Sequence, residues 1–227
     1  MENLENKIKY ISSYTSKLLR NKFGRGPESC FAFAGNHFLI LHIRGFLSPI
    51  EEVLIKEKQD TQVDYLRNVV IRSILDELKG VIQVTLETDV IMINHDWNYP
   101  NNTGVIIVEL QDQLLEVKKD PEVDFSALVA EIERISLLVQ KIPDETEICQ
   151  ISPRVIVVKR FGILINIEKA LIEKGFESEL YVTKDALEKS YFHRDNKFDD
   201  IFKKPVKDVF IDWKLDEDYS VMCFLLK

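Results

Sequence analysis

Ile91-Met92-Ile93-Asn94-His95-Asp96-Trp97 and Val209-Phe210-Ile211-Asp212-Trp213 hold the only two tryptophans of the chain, and each run ends on Asp-Trp. Eight residues past each Trp an apolar run begins, Val105-Ile106-Ile107-Val108 and Val221-Met222-Cys223-Phe224-Leu225-Leu226. Upstream, Ile50-Glu51-Glu52-Val53-Leu54-Ile55 matches Ile167-Glu168-Lys169-Ala170-Leu171-Ile172 in character, at 47 residues before Trp97 and 46 before Trp213. Chance does not supply all of these agreements together. They describe a tandem duplication of a unit of about 110 residues, close to a common domain size.

Working outward, residues 8–22 carry Ile8, Ile11, Tyr14 or Thr15, and Leu18 at a helical period. Gly24-Arg25-Gly26-Pro27 stops that helix, because Gly accepts the left-handed position after a helix and Pro cannot continue one. Ser29–Ala34 and Phe38–Arg44 read as a hairpin around Gly35-Asn36-His37. Ser48-Pro49 opens a short helix, and Val63, Leu66, Val70, Ile74 and Leu78 form one stripe of a long helix over 61–79 that stops at Gly80. A second hairpin is expected over roughly 84–96 and 104–110. The polar stretch Asp112–Asp124, which contains Pro121, is the best boundary and gives repeats of 1–115 and 116–227.

After the boundary the order returns. A helix is expected over 125–141, with Phe125, Leu128, Val129, Ile132 and Val139 on one side, then a hairpin over 147–151 and 154–160. A helical or irregular stretch over 184–203 and the two Trp-associated strands follow. The fold class is therefore α+β: two tandem repeats, each a mainly antiparallel four-stranded sheet of two hairpins packed with two or three helices.

The 227 residues carry a formal charge of −8, which argues against a general nucleic-acid partner. Three Cys build no disulfide framework and fit a reducing compartment. The N-terminus is polar, and no run approaches the roughly 18 apolar residues of a membrane-spanning helix, so the expected location is cytoplasmic, peripheral to a membrane only through a partner.

Chemistry-bearing motifs are sparse. The four His have no ligand spacing and there is no Cys-x-x-Cys, so neither metal nor cofactor is expected. Cys30 and Cys149 read as equivalent small core residues. Asp96 and Asp212 read as turn caps rather than a catalytic pair. The basic cluster Lys17, Arg20, Lys22 and Arg25 stands out in an acidic chain. Arg44 comes near it if the first hairpin packs under the first helix. These five residues are the candidate anion- or partner-binding site, with no catalytic residue assigned.

The run Ser12-Ser13-Tyr14-Thr15-Ser16-Lys17-Leu18-Leu19-Arg20, then Gly24-Arg25-Gly26-Pro27-Glu28-Ser29, then Ile43-Arg44-Gly45-Phe46-Leu47-Ser48-Pro49-Ile50-Glu51, resembles the MpsC-type domain. The resemblance covers residues 5–110 and reaches 120–227 only through the duplication. Ile142-Pro143-Asp144-Glu145 there replaces Gly-Arg-Gly-Pro, and Ile165-Asn166 replaces Ser-Pro. The resemblance implies association with a cation-translocating, membrane-potential-generating system linked to inorganic carbon, and brings no catalytic residues. The reading is a non-enzymatic accessory or regulatory protein that binds a protein partner, such as a membrane transport subunit. The alternative is a small-molecule or anion sensor, or an unrecognised enzyme, with a pocket between the repeats.

Overall fold

The structure is a computed structural model and describes residues 3–194 and 197–227. The expected stretch 184–203 crosses positions 195 and 196, which lie outside the described residues, as do the first two residues of the polar N-terminus. Contacts divide the chain into two compact units, the first ending at Glu116 and the second beginning at Val117.

The first unit runs α1 (Leu4–Phe23), β1 (Ser29–Gly35), β2 (Phe38–Arg44), α2 (Pro49–Lys56), α3 (Asp60–Leu86), β3 (Val90–Asn98) and β4 (Thr103–Leu110). Its sheet is antiparallel in the order β1-β2-β4-β3, so the two hairpins meet along β2 and β4. Asn3 caps α1 by accepting from the Glu5 amide, and Gly24 at φ 74° ends it. Asn36 at φ 50° makes the tight β1–β2 turn. One sheet face, through Leu39, Leu41, Ile43, Ile106 and Val108, packs against Ile11, Leu18, Leu19, Ile71, Ile74 and Leu78 of the helices. Each of these side chains contributes about 1.5–3 kcal/mol by burial.

Two expectations are corrected here. The long helix does not stop at Gly80 but continues to Leu86 and ends at Glu87 in the left-handed region, so the strand expected from residue 84 begins at Val90. Gly80 is exposed, where it weakens a helix by only about 1 kcal/mol, while Leu78 and Ile82 on either side are fully buried anchors. The apolar stripe of α3 keeps Val63, Ile74 and Leu78 buried as expected but departs from the expectation at one position. Leu66 is 54% exposed, and Arg67 is 1% exposed in its place.

The second unit repeats the plan as α4 (Phe125–Val139), β5 (Glu145–Ser152), β6 (Val155–Phe161), α5 (Asn166–Glu173), α6 (Glu177–Arg194), α7 (Phe198–Phe202), β7 (Val206–Lys214) and β8 (Tyr219–Leu226). Its sheet order, β5-β6-β8-β7, is the same. Trp97 pairs with Gly104 and Trp213 with Ser220, so the two tryptophans hold the same register. The cysteines do not. Cys30 pairs with Ile43, whereas Cys149 pairs with Val157, the counterpart of Ile40, which faces Phe33. Cys149 therefore matches Phe33, and the expected equivalence of the cysteines fails because the hairpin register, not residue type, sets the match.

Candidate anion- and partner-binding surface

The last turns of α1 place cations at a helix C-terminus, where the macrodipole favours them. Lys17 and Arg20 are exposed, and Lys22 donates to Ser73 Oγ on α3 at 3.2 Å. Past Gly24, Arg25 donates from Nη1 to the Leu47 carbonyl at 3.0 Å and lies 3.5 Å from the Glu52 carboxylate. The Arg20 side chain lies over Gly26, where a Cβ would come within 2.7 Å of Nε. Lys17, Arg20, Lys22 and Arg25 thus share one helix and its closing turn. Arg44 does not join them by the same face. In the pleat of β2, Leu39, Leu41 and Ile43 face the helices, so Arg44 faces the other way, exposed at the strand end.

The residues around this turn are locked by a polar knot. Asn102 Oδ1 accepts from the amides of Phe46 and Leu47 at 2.9 and 3.0 Å. Ser48 and Glu51 form a capping box on α2, and Glu51 Oε2 accepts from the Ser48 amide at 2.7 Å. The same carboxylate meets Arg67 at 2.8 Å from Nε and 2.9 Å from Nη2. The guanidinium sits under three rings, with centroids 4.5 Å away for Phe23, 4.1 Å for Phe46 and 4.8 Å for Trp97. Burial pulls the Arg67 pKa down and the Glu51 charge works against that fall. The Gly-Arg-Gly-Pro turn, Gly45-Phe46-Leu47 and Ser48-Pro49-Ile50-Glu51 therefore converge on one end of the first unit.

Residues 3–112, which contain this whole assembly, match the family described as "Na+-translocating membrane potential-generating system (MpsC)". The N-terminal unit is an MpsC-type domain. No curated protein and no solved structure matches the chain significantly.

Arg67, the hub of the MpsC-type unit, was not singled out by its sequence. The available signal was the duplication: Lys184 stands at the same offset that relates Glu51 to Glu168. In the second unit Glu168 Oε2 accepts from the Ile165 amide at 2.9 Å, and Lys184 Nζ lies 3.1 Å from Glu168 Oε1. Ile165 has no side-chain acceptor, so only the returning half of the capping box remains. Lys184 also lies 3.3 Å from Glu188, which pairs with Arg160 at 2.8 Å and accepts from Trp213 Nε1 at 3.1 Å. Burial drives the Glu188 carboxyl up, but Arg160 and Lys184 together hold it below the ordinary range.

The other chemistry-bearing residues are placed as follows. Asp96 and Asp212 each accept from the amide of the following Trp, at 2.7 and 2.9 Å. His95 faces α3, 3.2 Å from Asn68 Oδ1, whereas His42 points to the opposite sheet face. Burial pushes the Cys30 thiol up to about 11, which removes the thiolate that nucleophilic chemistry needs. Among the described residues no group of three or more His, Cys, Asp or Glu is placed to hold a metal ion, and no helix is long and apolar enough to cross a membrane.

Proposed function

We propose that the chain is a non-enzymatic accessory or regulatory protein of a membrane cation-translocating, membrane-potential-generating system, working at the cytoplasmic face by binding a protein partner. The observation that carries this reading is the family match of residues 3–112, whose motif residues converge on one end of the MpsC-type unit. Lys17, Arg20, Lys22, Arg25 and Arg44 are the proposed anion- or partner-binding residues. Four of them follow one another along α1 and its closing turn, and the second unit lacks the matching motif.

The test is recovery of the tagged full chain from cells under mild cross-linking, with the bound proteins identified. An integral-membrane transport subunit is expected, and Arg20→Glu with Arg25→Glu should abolish its recovery while circular dichroism shows that the fold persists. Screening acts over about 10 Å at 0.1 M salt, so the effect belongs to contacts at the surface itself. Cross-linked material with no transport subunit would overturn the reading.

A further inference from the structure

The inner side of the helical layer of the MpsC-type unit is defined by the Glu51–Arg67 pair between α2 and α3. Helical residues advance by about 100° each, so a residue two positions from an inward one points outward. Val53 stands so to Glu51, and Tyr65 and Val69 stand so to Arg67. Their exposures are 58, 70 and 56%, and Ile50 at the start of α2 is 74% exposed. With Leu66 they put five large apolar side chains on the outer side of two helices that pack together. Single exposed apolar residues need no explanation, but a set of this size on one surface does.

Cations lie alongside. α1 packs against α3, joined by Lys22 to Ser73 at 3.2 Å and Tyr14 to Glu77 at 2.7 Å. From Asn6 to Pro27 the chain holds Lys7, Lys9, Lys17, Arg20, Lys22 and Arg25 and no carboxylate. Between Thr61 and Leu75 of α3 the one acid is Asp64, whose carboxylate accepts from the Tyr99 hydroxyl, and Arg72 is exposed. This is local positive charge in a chain of net charge −8.

The second unit is an internal control. The offset that relates Glu51 to Glu168 and Arg67 to Lys184 puts Ile167 at Ile50, Ala170 at Val53, Val182 at Tyr65, Thr183 at Leu66 and Ala186 at Val69, with Ile167 66% and Val182 47% exposed. On α4, buried Leu128, Ile132, Ile135 and Ser136 match buried Ile11, Thr15, Leu18 and Leu19. Arg134, Leu137 and Val139 therefore stand where the first unit has Lys17, Arg20 and Lys22, and Arg134 is held by Glu131 at 2.8 Å. In a repeat that keeps the inner frame, three of the five ridge positions become Ala or Thr, Ile167 and Val182 stay apolar and exposed, and of the three cation positions only that of Lys17 keeps a cation, Arg134. The frame is common to both units, whereas the full set of five apolar side chains beside three cations belongs to the first.

An amphipathic partner helix seats in a groove. Here the apolar side chains project from the outer sides of helices, with a Tyr among them and cations at the flank. That is the layout of an interfacial surface, apolar groups at the acyl boundary and cations at the phosphates. We infer that the outer face of α1, α2 and the first half of α3 docks on an anionic lipid bilayer, through Ile50, Val53, Tyr65, Leu66 and Val69 with Lys17, Arg20 and Lys22. The inference rests on the proposed function only in giving the basic surface a recognition role.

The experiment is flotation of the purified full chain with vesicles of phosphatidylcholine, with and without phosphatidylglycerol. Binding is expected to the phosphatidylglycerol vesicles alone. Lys17→Gln, Arg20→Gln and Lys22→Gln together should weaken it by about a hundredfold, and Leu66→Ser with Val69→Ser should weaken it at unchanged charge. Val182→Ser in the second unit should leave it unchanged, and circular dichroism of each variant checks that the fold persists. As a second readout, Tyr65→Trp should shift its emission to the blue on adding anionic vesicles. Equal binding to neutral vesicles, or none to anionic ones, overturns the bilayer. If partner recovery still depends on Arg20 and Arg25 in that case, the accessory reading stands and the surface recognises protein.

Discussion

Glu51 and Arg67 are held together at 2.8 Å by a carboxylate that also caps the helix on which Glu51 sits. One side chain thus ends the chain's exit from β2, starts α2 and neutralises the buried cation of α3. Glu168 and Lys184 repeat the relationship at 3.1 Å.

Removing one partner leaves a buried charge alone. Glu51→Gln should therefore destabilise the MpsC-type unit by about 3–5 kcal/mol, read as a lower urea midpoint. Arg67→Met with Glu51→Gln should recover part of that loss, because no unpaired charge remains. Equal losses in the single and double variants would show that the pair is not coupled.

The second unit should carry an acid-sensitive element at Glu188. Its folded pKa is depressed, so its contribution is present above the unfolded value of about 4.3 and is lost as pH falls through the lower folded value. Urea midpoints should therefore fall below about pH 4. Glu188→Gln should be less stable at neutral pH and show a flatter slope in that acid range. An unchanged slope would remove Glu188 from the account.

Gly104 lies directly under Trp97, and a Cβ there would overlap the indole ring. Gly104→Ala should displace the ring from its place over Arg67 and destabilise by about 1–3 kcal/mol, with a change in near-ultraviolet circular dichroism. The matched residue in the second unit is Ser220, which already carries a Cβ opposite Trp213 and whose hydroxyl accepts from Arg160 at 2.8 Å.

The indole nitrogens differ between the units. Trp213 Nε1 donates to Glu188 at 3.1 Å, while Trp97 Nε1 is buried with no hydrogen-bond partner among the described residues. Trp213→Phe should cost more stability than Trp97→Phe by about 1–3 kcal/mol, measured by chemical denaturation of the two variants. The reverse order would contradict the assignment.

Cys30 should react slowly with iodoacetamide at neutral pH, since burial holds its thiol near 11. The rate should rise in urea as the strand opens. Fast labelling of the folded chain would show that β1 is not packed as described.

The sequence by itself determined the duplication, the two hairpins of each repeat and the fold class. These are carried by local periodicity, by turn chemistry at Gly35-Asn36-His37, and by the matched Asp-Trp ends, none of which needs a distant partner. Tertiary structure alone decided that Arg67 rather than Leu66 faces inward, because a buried guanidinium is tolerable only where Glu51 and three rings surround it. It decided that α3 runs through Gly80, since the burial of Leu78 and Ile82 outweighs a local preference of about 1 kcal/mol. It decided that Cys149 matches Phe33 rather than Cys30, since strand register is set by cross-strand pairing. It also put Arg44 on the sheet face opposite the helices, because the pleat of β2 turns alternate residues to opposite faces. In each case the deciding contact lies far along the chain, out of reach of a pattern read over a few neighbouring residues.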